Sequence, residues 1–200
     1  MITPIKESAF YQFITENFQK GAFANDDIIA IIMPLLKTVA AIHNQGKVAS
    51  LQDISTIYIE NQHFHITDNA FEVKQNTQVI SGFFKSKSKA FEISGEHFTT
   101  TEIGEGVNRE YSDKSVAATE TDTLRKPVYV KDYSCFEFEF DHHDPLTDIY
   151  VLGMILASIA LQFDFTDIDD VKRFVEHRKK MYFLNSKINP AIANIILGMT

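Results

Sequence analysis

The fourteen residues from Tyr150 to Phe163, YVLGMILASIALQF, carry no charge and only two polar side chains. A membrane crossing needs roughly 20 apolar residues, so this stretch reads as a helix buried inside a folded domain. Any fold for the chain must wrap that helix on every side. The material is present: the 200 residues are 44% hydrophobic and include 17 Phe, enough for one domain spanning 1–200 with a substantial core. Asp and Glu outnumber Lys and Arg by 27 to 19, so a duplex-wrapping surface is not the default expectation. A single Cys, Cys135, excludes an intramolecular disulfide framework and a zinc site built on cysteines. The start, MITPIKESAF, has no basic segment followed by an apolar one, so a cytoplasmic address is expected and no membrane association.

Local signals divide the chain into helical ends and a polar middle. Thr3-Pro4 reads as a cap and first helical position, with Ile5, Ala9, Phe13 and Ile14 on one side of a helix ending near Gly21. Asn25, Asp26 and Asp27 open a second helix closed by Gly46. It is apolar nearly all round and therefore expected to be central, with a bend at Pro34. STIYIE and FHITD, separated by Asn61-Gln62, form the pattern of a small β-hairpin. Residues 72–126 read as a long excursion whose apolar islands, TQVISGFF, KAFEIS and KPVYV, supply some strand. Helices follow over Asp148–Phe163, over DIDDVKRFVEHRKKMYFL, and over NPAIANIILGM, capped by Asn189 with Pro190 at its first position. The expected class is mainly α (α+β), a helical domain with a small hairpin and a long insertion.

The order of these elements resembles the C-terminal lobe of a protein kinase. TDIYVLGMILASIAL is similar to the family's central helix, which implies that Asp148 holds the catalytic loop from below and that Gly153 permits close packing. IHNQGKV is similar to the end of the preceding helix, with His43 six positions before the place where the family's His-Arg-Asp begins. On this register Ala49, Ser50 and Leu51 replace His-Arg-Asp, and Thr56 replaces the magnesium-binding Asn. Leu51 thus stands where the proton-accepting Asp would be. A register shifted by two would put Asp53 there, at the expense of matching TIYI to the family's next strand. The Asp-Phe-Gly turn corresponds to Asp68-Asn69-Ala70. Asp68 is the candidate metal ligand, against an ordinary turn residue after a strand. YSCFE resembles the end of the activation segment, with Glu137 in the place of a Glu that in kinases pairs with an Arg beyond the helix resembled by IANIILGMT; the resemblance implies that the pair is absent or that the chain is a piece of a longer polypeptide, with Arg173 and Arg178 as substitute partners.

The resemblance implies a degenerate bacterial pseudokinase lacking the upper lobe, with its Gly-rich loop and strand Lys. It implies an inactive module that binds a protein partner or belongs to a larger polypeptide, with no cofactor expected. The alternatives are a phosphotransferase completed by a partner, with ATP and magnesium at Asp53 or Asp68, and a nucleic-acid-associated accessory module.

Other features have plainer readings. DHHD, Asp141 to Asp144, contains metal-binding residue types, but adjacent residues seldom converge on one ion, so solvated or capping roles are favoured. Lys85, Lys87 and Lys89 beside Phe83 and Phe84 suit a protected edge strand better than a single-strand platform. The acidic stretch from Asp132 to Asp148 reads as a solvated loop. Thr99, Thr100 and Thr101 lie where kinases are phosphorylated, but no Arg of the His-Arg-Asp type is present to receive a phosphate.

Overall fold

The computed structural model describes residues 9–18, 20–49, 51–52, 54–66, 70–74, 91–94, 97–100, 109–111, 115–117 and 128–200. Its class is mainly helical with small antiparallel sheets, an α+β arrangement. The helices are α1 (Ala9–Phe18), α2 (Asn25–His43), α3 (Pro145–Leu161), α4 (Ile168–His177) and α5 (Pro190–Met199). No helix among the described residues is long and apolar enough to cross a membrane.

The apolar stretch becomes α3, and 14 of its 17 residues are buried. It starts three residues before the expected Asp148 because Asp144 caps it. The Asp144 carboxylate accepts the Leu146 and Thr147 amides at 2.8 and 3.0 Å, while the Asp144 amide donates to Thr147 Oγ1 at 3.2 Å. Pro145, which has no amide hydrogen to orphan, fills the first helical position.

The second helix is not the central one. α2 buries Ile28, Ile31, Ile32, Leu35, Val39 and Ile42 but exposes Ala30, Lys37, Ala40 and Ala41. Alanines made its outer face look apolar in sequence, although they face solvent. The helix continues through Pro34, and Asn25 is not its cap: Ala24 holds that position and makes no side-chain cap bond. Asn25 Oδ1 instead accepts the Asn189 amide at 3.1 Å, tying the start of α2 to the start of α5.

Strands β2 (Ile57–Glu60) and β3 (His63–Ile66) form the expected hairpin, with Ile57 opposite Ile66 and Ile59 opposite Phe64. Asn61 and Gln62 both have positive φ, 52° and 64°, the twist that a two-residue hairpin turn requires. A short pair, β1 (Lys47–Val48) with β4 (Phe71–Glu72), flanks it. Farther on, β5 (Phe91–Ser94), β6 (His97–Thr100) and β7 (Arg109–Tyr111) form a three-stranded meander, and β8 (Ser115–Ala117) pairs with β9 (Val128–Val130). The islands KAFEIS and KPVYV thus contribute strands. TQVISGFF, Lys85, Lys87, Lys89, Thr101 and residues 1–8 lie outside the described residues.

Aromatic rings link the shell to the centre. Phe10 of α1 lies 5.3 Å from Phe64 of β3 and 5.0 Å from Tyr133, and Phe165 continues the chain to Phe174 of α4 at 5.2 Å. The Tyr133 hydroxyl is 2.8 Å from Ser158 Oγ, which donates to the Phe163 carbonyl, so the polar atoms in this apolar zone are satisfied. The long helix expected over DIDDVKRFVEHRKKMYFL is broken. α4 ends at His177, and a tighter turn over Arg178–Phe183 follows with Lys180 at φ −136°, ψ 50°. Asn189 caps α5 by accepting the Ala191 amide at 2.8 Å, as its sequence predicts.

Gly153 is where α5 meets α3. A Cβ at this position would lie 2.7 Å from Met199 Cβ and 2.8 Å from Thr200 Cγ2, inside van der Waals contact. Gly153→Ala is therefore expected to lose about 1–3 kcal/mol despite the better helix propensity of alanine. A urea titration should show a lower midpoint with an unchanged slope. An unchanged or raised midpoint would mean that the two helices separate at no cost.

Candidate functional site

The N-terminal turn of α3 carries an ionisable group into the interior. Asp148 is only 1% exposed, and its Oδ2 accepts the Ala49 amide at 2.7 Å while lying 2.8 Å from His43 Nε2. One oxygen thus joins the last turn of α2, the chain after β1 and the first turn of α3. The placement suits the carboxylate, which favours a helix N-terminus. Burial pushes the Asp148 carboxyl above its ordinary value, opposed by the hydrogen bonds from His43 and from the Ala49 amide. With no face open to solvent, this group positions a loop and cannot reach an external substrate.

The loop it holds turns inward. Ala49 is 2% and Leu51 1% exposed, and both belong to the hydrophobic core. Thr56 is half-buried at the end of a short turn over Ile54–Thr56. Ala70 is half-buried and packs against the core. Ser50, Asp53, Asp68 and Asn69 lie outside the described residues, so the shifted register and the metal candidate fall there as well.

Glu137 does not meet either candidate arginine among the described residues. Its Oε2 accepts the Cys135 thiol at 2.6 Å. Burial, then the adjacent carboxylate, pushes that thiol well above its ordinary value. Arg178 instead donates to the Leu197 carbonyl at 3.1 Å and lies over the Tyr129 ring, while Arg173 pairs with Asp170 at 3.2 Å and covers Phe163. Each guanidinium finds closer partners on or beside its own helix, which explains the difference from expectation.

The DHHD run separates into two pairs. His142 Nε2 lies 3.0 Å from Asp144 Oδ2, and His143 Nε2 lies 3.5 Å from Asp141 Oδ1. His143 is buried, stacked on Phe138 at 4.8 Å, and burial lowers its pKa. Among the described residues no group of three His, Cys, Asp or Glu is arranged to hold a metal ion. The acidic stretch is also more structured than a solvated loop: Phe136, Phe138 and Phe140 are buried in a helical turn over Phe136–Phe140.

Sequence reasoning singled out Asp148 but not its contact with His43, 105 residues away, which leaves no local signal. The Asp144 cap had a local signal, Asp then Pro ahead of an apolar run, that the reading of DHHD as solvated or capping residues did not use to place the helix start.

The Asp148 node makes a prediction with a worked sign. Its folded-state pKa lies above the ordinary 3.8, so the folded protein takes up this proton more readily than the unfolded chain. The stability it contributes is greatest below that value and declines as pH rises through the folded pKa. The stability difference between wild type and Asp148→Asn should therefore move against the wild type as pH rises through this window, measured by urea titration at successive pH values. At neutral pH, Asp148→Ala should lose about 2–3 kcal/mol because the Ala49 amide is left buried without an acceptor, and Asp148→Asn less. Equal losses would show that the hydrogen bond is not what matters.

Compared with known proteins, the chain matches no family model, no curated protein and no solved structure.

Proposed function

We propose that this chain is a catalytically inactive module, similar to a protein kinase C-terminal lobe, that serves as a protein interaction or regulatory domain. The observation that carries the reading is the Asp148 node. The resemblance assigns to Asp148 the support of a loop from below, and its carboxylate accepts the amide of Ala49, where that loop begins. The order of helix, hairpin and buried helix also supports it.

Leu51 supports inactivity. Where an active kinase keeps a carboxylate open to the substrate hydroxyl, this side chain is 1% exposed and packed in the core. A hydrocarbon accepts no proton, and phosphoryl transfer depends on positioned charge and metal. On the β side, Tyr58 and Val73 are 42% and 39% exposed, and Tyr58 stacks on His65. Exposed apolar side chains of this kind suit a docking role.

A thermal-shift titration with ATP, ADP and GTP, each with and without magnesium or manganese, tests the reading. A ligand that binds only the folded state must raise the melting temperature. No shift is expected in a protein that unfolds cooperatively. A metal-dependent shift lost in Asp68→Ala would overturn the proposal in favour of a phosphotransferase completed by a partner.

A further inference from the structure

The acidic chain has a basic end. From His177 to Thr200 it contains Arg178, Lys179, Lys180 and Lys187 and not one Asp or Glu, whereas the whole carries 27 acidic against 19 basic residues. One turn upstream, Lys172 and Arg173 are neutralised by Asp169 and Asp170. Lys179, Lys180 and Lys187 are exposed, and among the described residues no carboxylate pairs with them.

Two aromatic residues share the turn with Lys179 and Lys180, and His177 at its start pairs with Glu176 at 3.7 Å. Tyr182 is 51% and Phe183 77% exposed, and the Phe183 ring lies 6.5 Å from that of His177. The intervening frame is anchored: Met181 is 3% exposed, and its carbonyl accepts the amides of Leu184 and Asn185. The non-helical backbone at Lys180 interrupts the helical path just before this anchor. Large rings left in water beside unpaired cations, on a pinned turn, have the composition of an interface centre.

We infer that the turn over Arg178–Phe183 is a docking site for a short acidic segment of a partner protein, one that flanks a large apolar side chain with carboxylates. Lysine ammonium groups are point charges that meet carboxylates without demanding a fixed fork geometry. The length of the partner follows from the rest of the charge. Beyond about one Debye length, roughly 10 Å at 0.1 M salt, an extended polyanion outruns the lysines and gains nothing further from a chain that is net acidic. A short peptide ends within that distance, whereas a nucleic acid strand or an anionic bilayer does not. The site adds a partner class to the interaction module proposed above; it rests on that reading for its role and not for its geometry.

A random twelve-residue phage-displayed library, panned on the wild-type protein and counter-selected on K179E/K180E/F183S, tests the inference. The three substitutions lie at exposed positions, and a matching melting temperature establishes that the variant is folded. The expected result is a consensus of an aromatic or aliphatic residue flanked by Asp or Glu. The selected peptide, followed by fluorescence anisotropy, should weaken as salt is raised and lose about tenfold or more in affinity with Phe183→Ser alone. A consensus without carboxylates, or no enrichment over the variant, overturns the inference. Patch-dependent retention of oligo(dT) or phosphatidylserine vesicles in preference to the peptide also overturns it. A metal-dependent nucleotide shift would remove the inactive-module reading without touching this outcome, and failure of the panning would leave that reading standing.

Discussion

A helix buried on all sides has no solvent face to fix its rotation, so neighbours must do so at particular points. In α3 the first such point is Asp148, whose carboxylate reaches Ala49 and His43 and sets the register of the N-terminal turn. The second is Gly153, five residues farther along, which lets α5 approach closely. The third is Ser158, linked to Tyr133 and to the Phe163 carbonyl near the other end. Between these points the helix is nearly pure hydrocarbon, which supplies cohesion without direction. Three polar or small residues thus orient what apolar packing merely condenses.

This division of labour bears on function. A charged group in the interior is costly unless its hydrogen bonds are complete. At Asp148 they are supplied by groups from two other segments. The return on that cost is a fixed path for the chain after β1, carrying Ala49 and Leu51 into the core. An element that invests a buried carboxylate in shaping a loop, and then fills the loop with alanine and leucine, is organised around shape. The most exposed aromatic rings among the described residues, Tyr182 and Phe183, lie elsewhere, on the turn after α4.

Much of the fold was legible because its signals are local. The apolar run, the Asn61-Gln62 turn between alternating strands, and Asn189-Pro190 each fix a conformation within a few residues. The errors arose where local pattern and tertiary context disagree. Alanines on α2 counted as apolar although they face solvent, and the continuous periodicity from Ile168 to Leu184 hid a break at Lys180. Neither substitute partner offered for Glu137 meets it among the described residues, because a neighbouring thiol and acceptors near each arginine are closer. Asp148 was singled out only through the resemblance of TDIYVLGMILASIAL to a kinase helix, and its partners, nearly 100 residues or more distant, become visible only in three dimensions.

The single cysteine has a practical consequence. Cys135 is 3% exposed, its thiol donates to the Glu137 carboxylate, and burial opposes its ionisation. Alkylating and disulfide reagents attack the thiolate, so the native molecule is shielded both sterically and by its protonation state. Reaction must wait for an opening that releases the turn over Phe136–Phe140 from the core. The rate of thiol labelling therefore acts as a built-in clock for excursions from the native state, with no engineered probe and no competing cysteine.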